Sequence, residues 1–190
     1  MSETPNVLTG AVAFTDIAGF TEFTALRGDH EALALLSKQE AIVNAELTPG
    51  ARLIKEIGDG LLFWFPSASD AIDTMVRLQE RFEEASFDPE TPLWVRMGVH
   101  WGTQMQRRDD IVGHDVNLAS RICNLAAPGE ILISGAAARA AADLPGILLE
   151  EVGPAVLKGI PEPVALYRAT RAFAPALALA PGPLRLAVLV

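Results

Sequence analysis

Cysteine is almost missing from this chain. Cys123 is the single one in 190 residues, which excludes an intrachain disulfide and a cysteine-rich zinc site. Such a lone thiol reads as a small apolar core residue. Basic residues are also in deficit, with 15 Lys and Arg against 24 Asp and Glu and a formal net charge of −9. That balance argues against a general nucleic-acid binder, because a phosphate backbone is normally met by a basic surface or stripe. No uninterrupted apolar stretch approaches the ~20 residues that span a bilayer. The opening MSETPNVLTG lacks the basic-then-apolar order of a secretory signal. The three histidines suggest no zinc site. From these absences a soluble, cytoplasmic domain is expected, without a membrane span and without a nucleic-acid partner.

What is present is a large apolar fraction. Half of the residues are hydrophobic, enough for one domain with a substantial core. VLTGAVAFTDI reads as a strand ending near Asp16, after which AGFTEFT turns into a helix. Residues 29 to 47 repeat apolar positions at helical spacing, with Leu33, Leu36, Ala41, Ile42 and Leu47 marked as the apolar set. ARLIKEI and LLFWF are two strand-like runs separated by Gly58-Asp59-Gly60, which is strong hairpin chemistry. A helix fits 68 to 86, LWVRMGVHWG a strand, QMQRRDDIVG a polar loop or hairpin arm, and DVNLASRICNLA a helix opening near Asp115. EILIS is a strand, 135 to 142 a short helix, and ILLEEV and VALYRAT two closing strands. Strands and helices mingle without strict βαβ alternation, so the expected class is α+β, a sheet packed by helices. The domain is placed at 1–170. An Ala/Leu/Pro-rich C-terminal extension follows at 171–190, where Pro175, Pro181 and Pro183 argue against a continuous helix.

Four polar residues stand out. Asp16 ends an apolar strand and Asp59 sits at a hairpin tip, and each has an ordinary reading, as a helix cap and as a turn residue. If their strands are neighbours, both carboxylates project from one rim, as hard cations require. After Asp16 the backbone of Ile17, Ala18, Gly19, Phe20 and Thr21 turns into a helix whose free amides suit phosphate oxygens. Asn117 and Arg121, four apart, share a helix face. They read either as a solvated surface, with Arg121 paired to Asp115 or Glu130, or as groups that orient a hydroxyl and neutralise charge developing on phosphorus.

FTDIAGFT at 14–21, KEIGDGLLFWF at 55–65, RMGVHWG at 96–102 and DIVGHDVNLASRI at 110–122, in that order, resemble the signature of class III adenylyl and guanylyl cyclases. The resemblance runs to about residue 169, through LKGIPEPVALYRA. It implies a central, mostly antiparallel sheet of the polymerase-palm, ferredoxin-like kind. It also implies two divalent ions, magnesium or manganese, at Asp16 and Asp59 and at the backbone carbonyl of Ile17. By the same likeness Lys55 and Asp110 read the adenine, Asn117 orients the ribose, Arg121 serves the transition state, and Arg96 and Lys158 contact phosphates. Gly19, Phe20 and Thr21 line the triphosphate. In the family the subunits lie head to tail, one supplying the metal aspartates and the other the base-reading and transition-state residues. All six of these residues are on this chain, so a homodimer would carry two sites for ATP and release cyclic AMP and pyrophosphate. A guanylyl cyclase, a catalytically silent nucleotide sensor or interaction module, and a different two-metal phosphotransferase such as a diguanylate synthase or a phosphodiesterase are the alternatives. His100 is expected to be structural.

Overall fold

The computed structural model describes residues 6–172. Apart from Arg171 and Ala172, the C-terminal extension lies outside the described residues. Chain order is β1 (Asn6–Ile17), α1 (Phe20–Arg27), α2 (Asp29–Glu46), β2 (Arg52–Ile57), β3 (Gly60–Phe65), α3 (Ala68–Ala85), β4 (Val95–Arg107), β5 (Asp110–Val112), α4 (His114–Leu125), β6 (Ile131–Ser134), α5 (Gly135–Ala140), β7 (Ile147–Ala155) and β8 (Val164–Arg171). The expected class is what the structure has. The strands form one sheet in the order β2-β3-β1-β4-β6-β8-β7, with β5 paired to β4. β4 and β6 are parallel and the other pairs antiparallel. From β1 to β4 the chain traces the split βαβ pattern of ferredoxin-like folds, with β1 between β3 and β4. No helix among the described residues is long and apolar enough to cross a membrane.

Because both sheet faces are covered, β3 and the middle of β1, residues 10–14, read as unbroken apolar runs while their side chains still alternate. Ala11, Ala13, Ile17, Leu61, Phe63 and Phe65 face α2 and α3, where they meet Leu35, Val43, Ile72, Met75 and Phe82. Val12 and Leu62 point the other way, toward Ile111, Val116 and Ala119. Each fully buried Phe or Leu contributes about 1.5–3 kcal/mol. Ser67 caps α3 by accepting from the Asp70 amide at 3.2 Å. In α2 the helix is where the spacing predicts, but its buried stripe is Ala32, Leu35, Gln39 and Val43, and Leu33 is 64% exposed. Leucine-rich composition blurs the phase, and packing selects a stripe that includes a glutamine.

Helix α4 lies close against β4, on the face opposite α2 and α3. The residues of β4 beneath it alternate Arg96, Gly98, His100 and Gly102. A Cβ on Gly98 would collide with the backbone of Cys123 and the carbonyl of Ala119, and one on Gly102 with the Asp115 carboxylate. Glycine at 98 therefore sets how near the helix can come. Gly98→Ala is expected to destabilise the fold by about 1–3 kcal/mol, the usual cost of overpacking, read as a lower midpoint in urea unfolding. An unchanged midpoint would mean that α4 does not rest on β4 in this way.

Candidate active site

The register of β1 builds the first part of the site. Thr15 pairs with Leu61 on β3 and Asp16 with Arg96 on β4, so the β2–β3 turn and the end of β1 meet at one rim. In that turn Gly58 takes the left-handed conformation, φ 66°, which leaves Asp59 free to use its side chain. Asp59 Oδ2 accepts from the Ile17 amide at 3.1 Å. The helix-cap reading of Asp16 fails. Gly19 precedes α1, which has no side-chain cap, and Asp16 Oδ2 instead accepts from Arg96, Nε at 2.7 Å and Nη2 at 2.6 Å.

These groups line a cleft of about 370 Å3 together with Ile17, Ala18, Gly19, Phe20, Thr21, Glu22 and Pro128. The uncapped first turn of α1 contributes free amides to the rim, a favourable place for anionic oxygens. Burial, and next the Asp16 carboxylate, raise Asp59 above the ordinary carboxylate range, with the amides and Arg96 acting against them. Two carboxylates held together at such a cost suit a cation. Among the described residues no cluster of three or more His, Cys, Asp and Glu forms a metal cage. The donor set fits an ion of the magnesium kind, which takes one or two carboxylates and completes its shell with water and substrate phosphates.

The second part of the site lies elsewhere. The β2–β3 pairing shifts register between Leu53 and Lys55, a bulge that turns Lys55 toward the α4 side. There its Nζ is 2.6 Å from Asp110 Oδ2 on β5. The Lys55 hydrogen bond lowers Asp110 below the usual carboxylate range. Asn117 and Arg121 are exposed on α4. The alternative partners of Arg121 are engaged with other groups: Asp115 accepts from the Thr103 amide at 2.6 Å and Glu130 from the Ala127 amide and Arg168. Lys158 is exposed in the loop joining β7 to β8. Of these five residues none lines the cleft, so one chain brings Asp16, Asp59, Arg96 and α1 together, and separately Lys55 with Asp110.

His100 is buried, as expected of a structural residue, with Nδ1 2.8 Å from Ser134 Oγ. The sequence reading missed Gln39, whose Nε2 donates to the Asp59 carbonyl at 3.4 Å. It also missed the role of Arg96 as the partner of Asp16. A polar residue on the correct buried stripe of α2 was the available signal for Gln39. For Arg96 there was none before the β1–β4 register was known.

The family model described as the adenylate and guanylate cyclase catalytic domain matches residues 3–169. A pH-sensitive adenylate cyclase of Mycobacterium tuberculosis is 31% identical over 163 residues, 84% of this chain and 40% of the relative. An adenylate cyclase of Streptomyces griseus is 34% identical over 129 residues, 67% of this chain and 31% of the relative. The chain thus spans less than half the length of these curated relatives. In fold it is similar to the adenylyl cyclase CyaB from P. aeruginosa, with a TM-score of 0.77 at 24% identity over 90% of this chain and 98% of that one. The guanylyl cyclase Cya2 gives 0.75 at 21% identity over 90% and 96%.

Asp59→Asn tests the cation fit without an activity assay. The amide keeps an acceptor for Ile17 and removes the repulsion from Asp16, so the metal-free variant should melt at or above the temperature of the unmodified chain. It should also lose the stabilisation that manganese confers, which for the unmodified chain is about 2.7 kcal/mol at a hundredfold excess over Kd. A variant still stabilised as much by manganese would remove Asp59 from the ion site.

Proposed function

This chain belongs to the adenylate and guanylate cyclase catalytic domain family, and on that premise we propose that it is the catalytic unit of an adenylate cyclase. It converts ATP to 3′,5′-cyclic AMP and pyrophosphate at two sites built between two head-to-tail copies. The observation that carries the choice of base is the Lys55–Asp110 pair, a cationic donor 2.6 Å from a carboxylate acceptor. Adenine presents an acceptor at N1 beside a donor at N6, the complement of that pair. Guanine presents the reverse, and both contacts would turn unfavourable.

The dimer is supported by the separation of the two groups on the chain. The cleft of one copy holds the triphosphate through Arg96 and the free amides of α1, with Asp16, Asp59 and the Ile17 carbonyl to hold divalent ions. When bound, such ions supply positive charge for the phosphates and make the ribose 3′-hydroxyl more acidic. Lys55 and Asp110 of the other copy fix the base. Its Asn117 holds the ribose so that the 3′-oxygen faces the α-phosphorus, and its Arg121 neutralises the charge that grows on the phosphoryl oxygens. Lys158 of that copy reaches the phosphates. Two-fold symmetry repeats the arrangement. Removing the Arg121 guanidinium should cost about 10²–10³ in turnover, by analogy with other preorganised charge-stabilising donors.

Two measurements test the reading. The purified chain with manganese should form cyclic AMP from ATP in clear preference to cyclic GMP from GTP. Lys55→Glu combined with Asp110→Ala should erode that preference mainly by loss of ATP turnover. Equal use of both nucleotides by the unmodified chain would remove the base-reading role. Asp16→Ala and Asn117→Ala chains should each be inactive, and their co-expressed heterodimer should recover activity, because one of its two sites draws an intact aspartate and an intact asparagine from different copies. A co-purified heterodimer with no activity would place the whole site within a single chain.

A further inference from the structure

Helix α4 carries Asn117 and Arg121, and no side chain caps its first turn, which follows Gly113. Besides the Asn117 amide bonded to the Gly113 carbonyl at 3.2 Å and Val116 packed in the core, that turn is held by a polar contact to the sheet. Asp115, the second residue of α4, reaches over the gap left by Gly102 and accepts from the Thr103 amide of β4 at 2.6 Å. Its other oxygen lies 3.5 Å from Nε2 of His100, and Nδ1 of the same ring is 2.8 Å from Ser134 Oγ. Ser134 is fully buried and caps α5 by accepting from the Ala137 amide at 3.1 Å.

The direction of this chain of contacts follows from the groups at its ends. Asp115 is a carboxylate and can only accept, and burial lowers the His100 pKa, so a neutral ring with its proton on Nε2 is the tautomer that suits the 3.5 Å approach. In that tautomer Nδ1 is the acceptor and the Ser134 hydroxyl donates to it. Three elements are joined through one imidazole: the start of α5, the middle of β4 and the first turn of α4.

We propose that His100 and Asp115 are positioning residues for the cyclisation, holding the first turn of α4 so that Asn117 and Arg121 meet the ribose and the α-phosphoryl group. The assignment rests on the cyclase reading above. Asp115 is two residues from Asn117 and six from Arg121, so a shift of the first turn moves both. Neither Lys55 nor Asp110 is on α4, and Arg96 is on β4. Arg96 meets only the last turn of α4, through the Asn124 carbonyl, so a shift of the first turn leaves the base and phosphate contacts in place and disturbs the contacts made at the transition state. The signature is a fall in kcat with little change in KM.

His100→Leu, His100→Gln and Asp115→Ala, each in the full chain, separate this from a packing role. Glutamine reaches about as far as Nε2 and keeps an N–H donor for Asp115, whereas leucine fills space and donates nothing. Initial rates against ATP with manganese should show His100→Leu and Asp115→Ala losing about 10²-fold in kcat, the scale of a displacement near 1 Å. KM should be little changed, and His100→Gln should stay close to the unmodified chain. If His100→Leu does not fold, Asp115→Ala decides, since the Asp115 side chain is partly exposed at 23%. Full kcat in a folded His100→Leu or Asp115→Ala, a loss confined to KM, or a His100→Gln as impaired as the leucine variant would each overturn the assignment. Absence of cyclic nucleotide from the unmodified chain overturns the cyclase reading, and this assignment with it.

Discussion

Strand β1 is paired along both edges, to β3 and to β4, and it is buried on both faces over Ala11 to Ala13. A slip of one residue would turn its α2/α3-facing side chains to the α4 side and the reverse. Such a strand has one tolerable register. That register brings the hairpin carrying Asp59 to one side of Asp16 and Arg96 to the other. The cleft is a consequence of strand pairing more than of any contact among its polar groups.

The polar groups then acquire their character from their neighbours. Asp59 and Asp110 are the same residue type, and their carboxyls are pushed in opposite directions. Burial and the charge of Asp16 raise the first, while the Lys55 hydrogen bond lowers the second. One carboxylate is left wanting a cation and the other is a satisfied acceptor. The proposed division of labour, ions at one and a base at the other, follows that difference. Cys123 behaves as its isolation in the sequence suggests: burial pushes its thiol up to about 12, which leaves it an inert packing residue.

Helix α4 shows how much the placing of a polar helix face depends on residues without polar chemistry. Gly98 and Gly102 contribute only the lack of a side chain, yet they decide how near the helix lies and whether Asp115 can reach the sheet. At the other end Arg96, which holds Asp16, also donates to the Asn124 carbonyl at 3.4 Å. The same strand thus touches both the carboxylate cleft and the helix proposed to serve the opposite site of the dimer.

Much of this was legible in the sequence. Apolar runs placed the strands, Gly-Asp-Gly marked the hairpin, and the ordered stretches around Asp16, Lys55, Asp59, Asp110, Asn117 and Arg121 pointed to the family, because backbone propensity and short-range spacing are local properties. What remained hidden depends on contacts between distant segments. The stripe of α2 that is buried was decided by α3 and the sheet, so Gln39 and not Leu33 turned inward. The bulge that aims Lys55 at Asp110 needs the β2–β3 pairing, and the Arg96–Asp16 and His100–Asp115 contacts need the registers of β4 with β1 and with α4. Sequence alone determined which chemical groups the chain has and the elements that carry them. Which of those groups meet was settled only by tertiary packing, since strand register and helix approach are cooperative outcomes of the whole core.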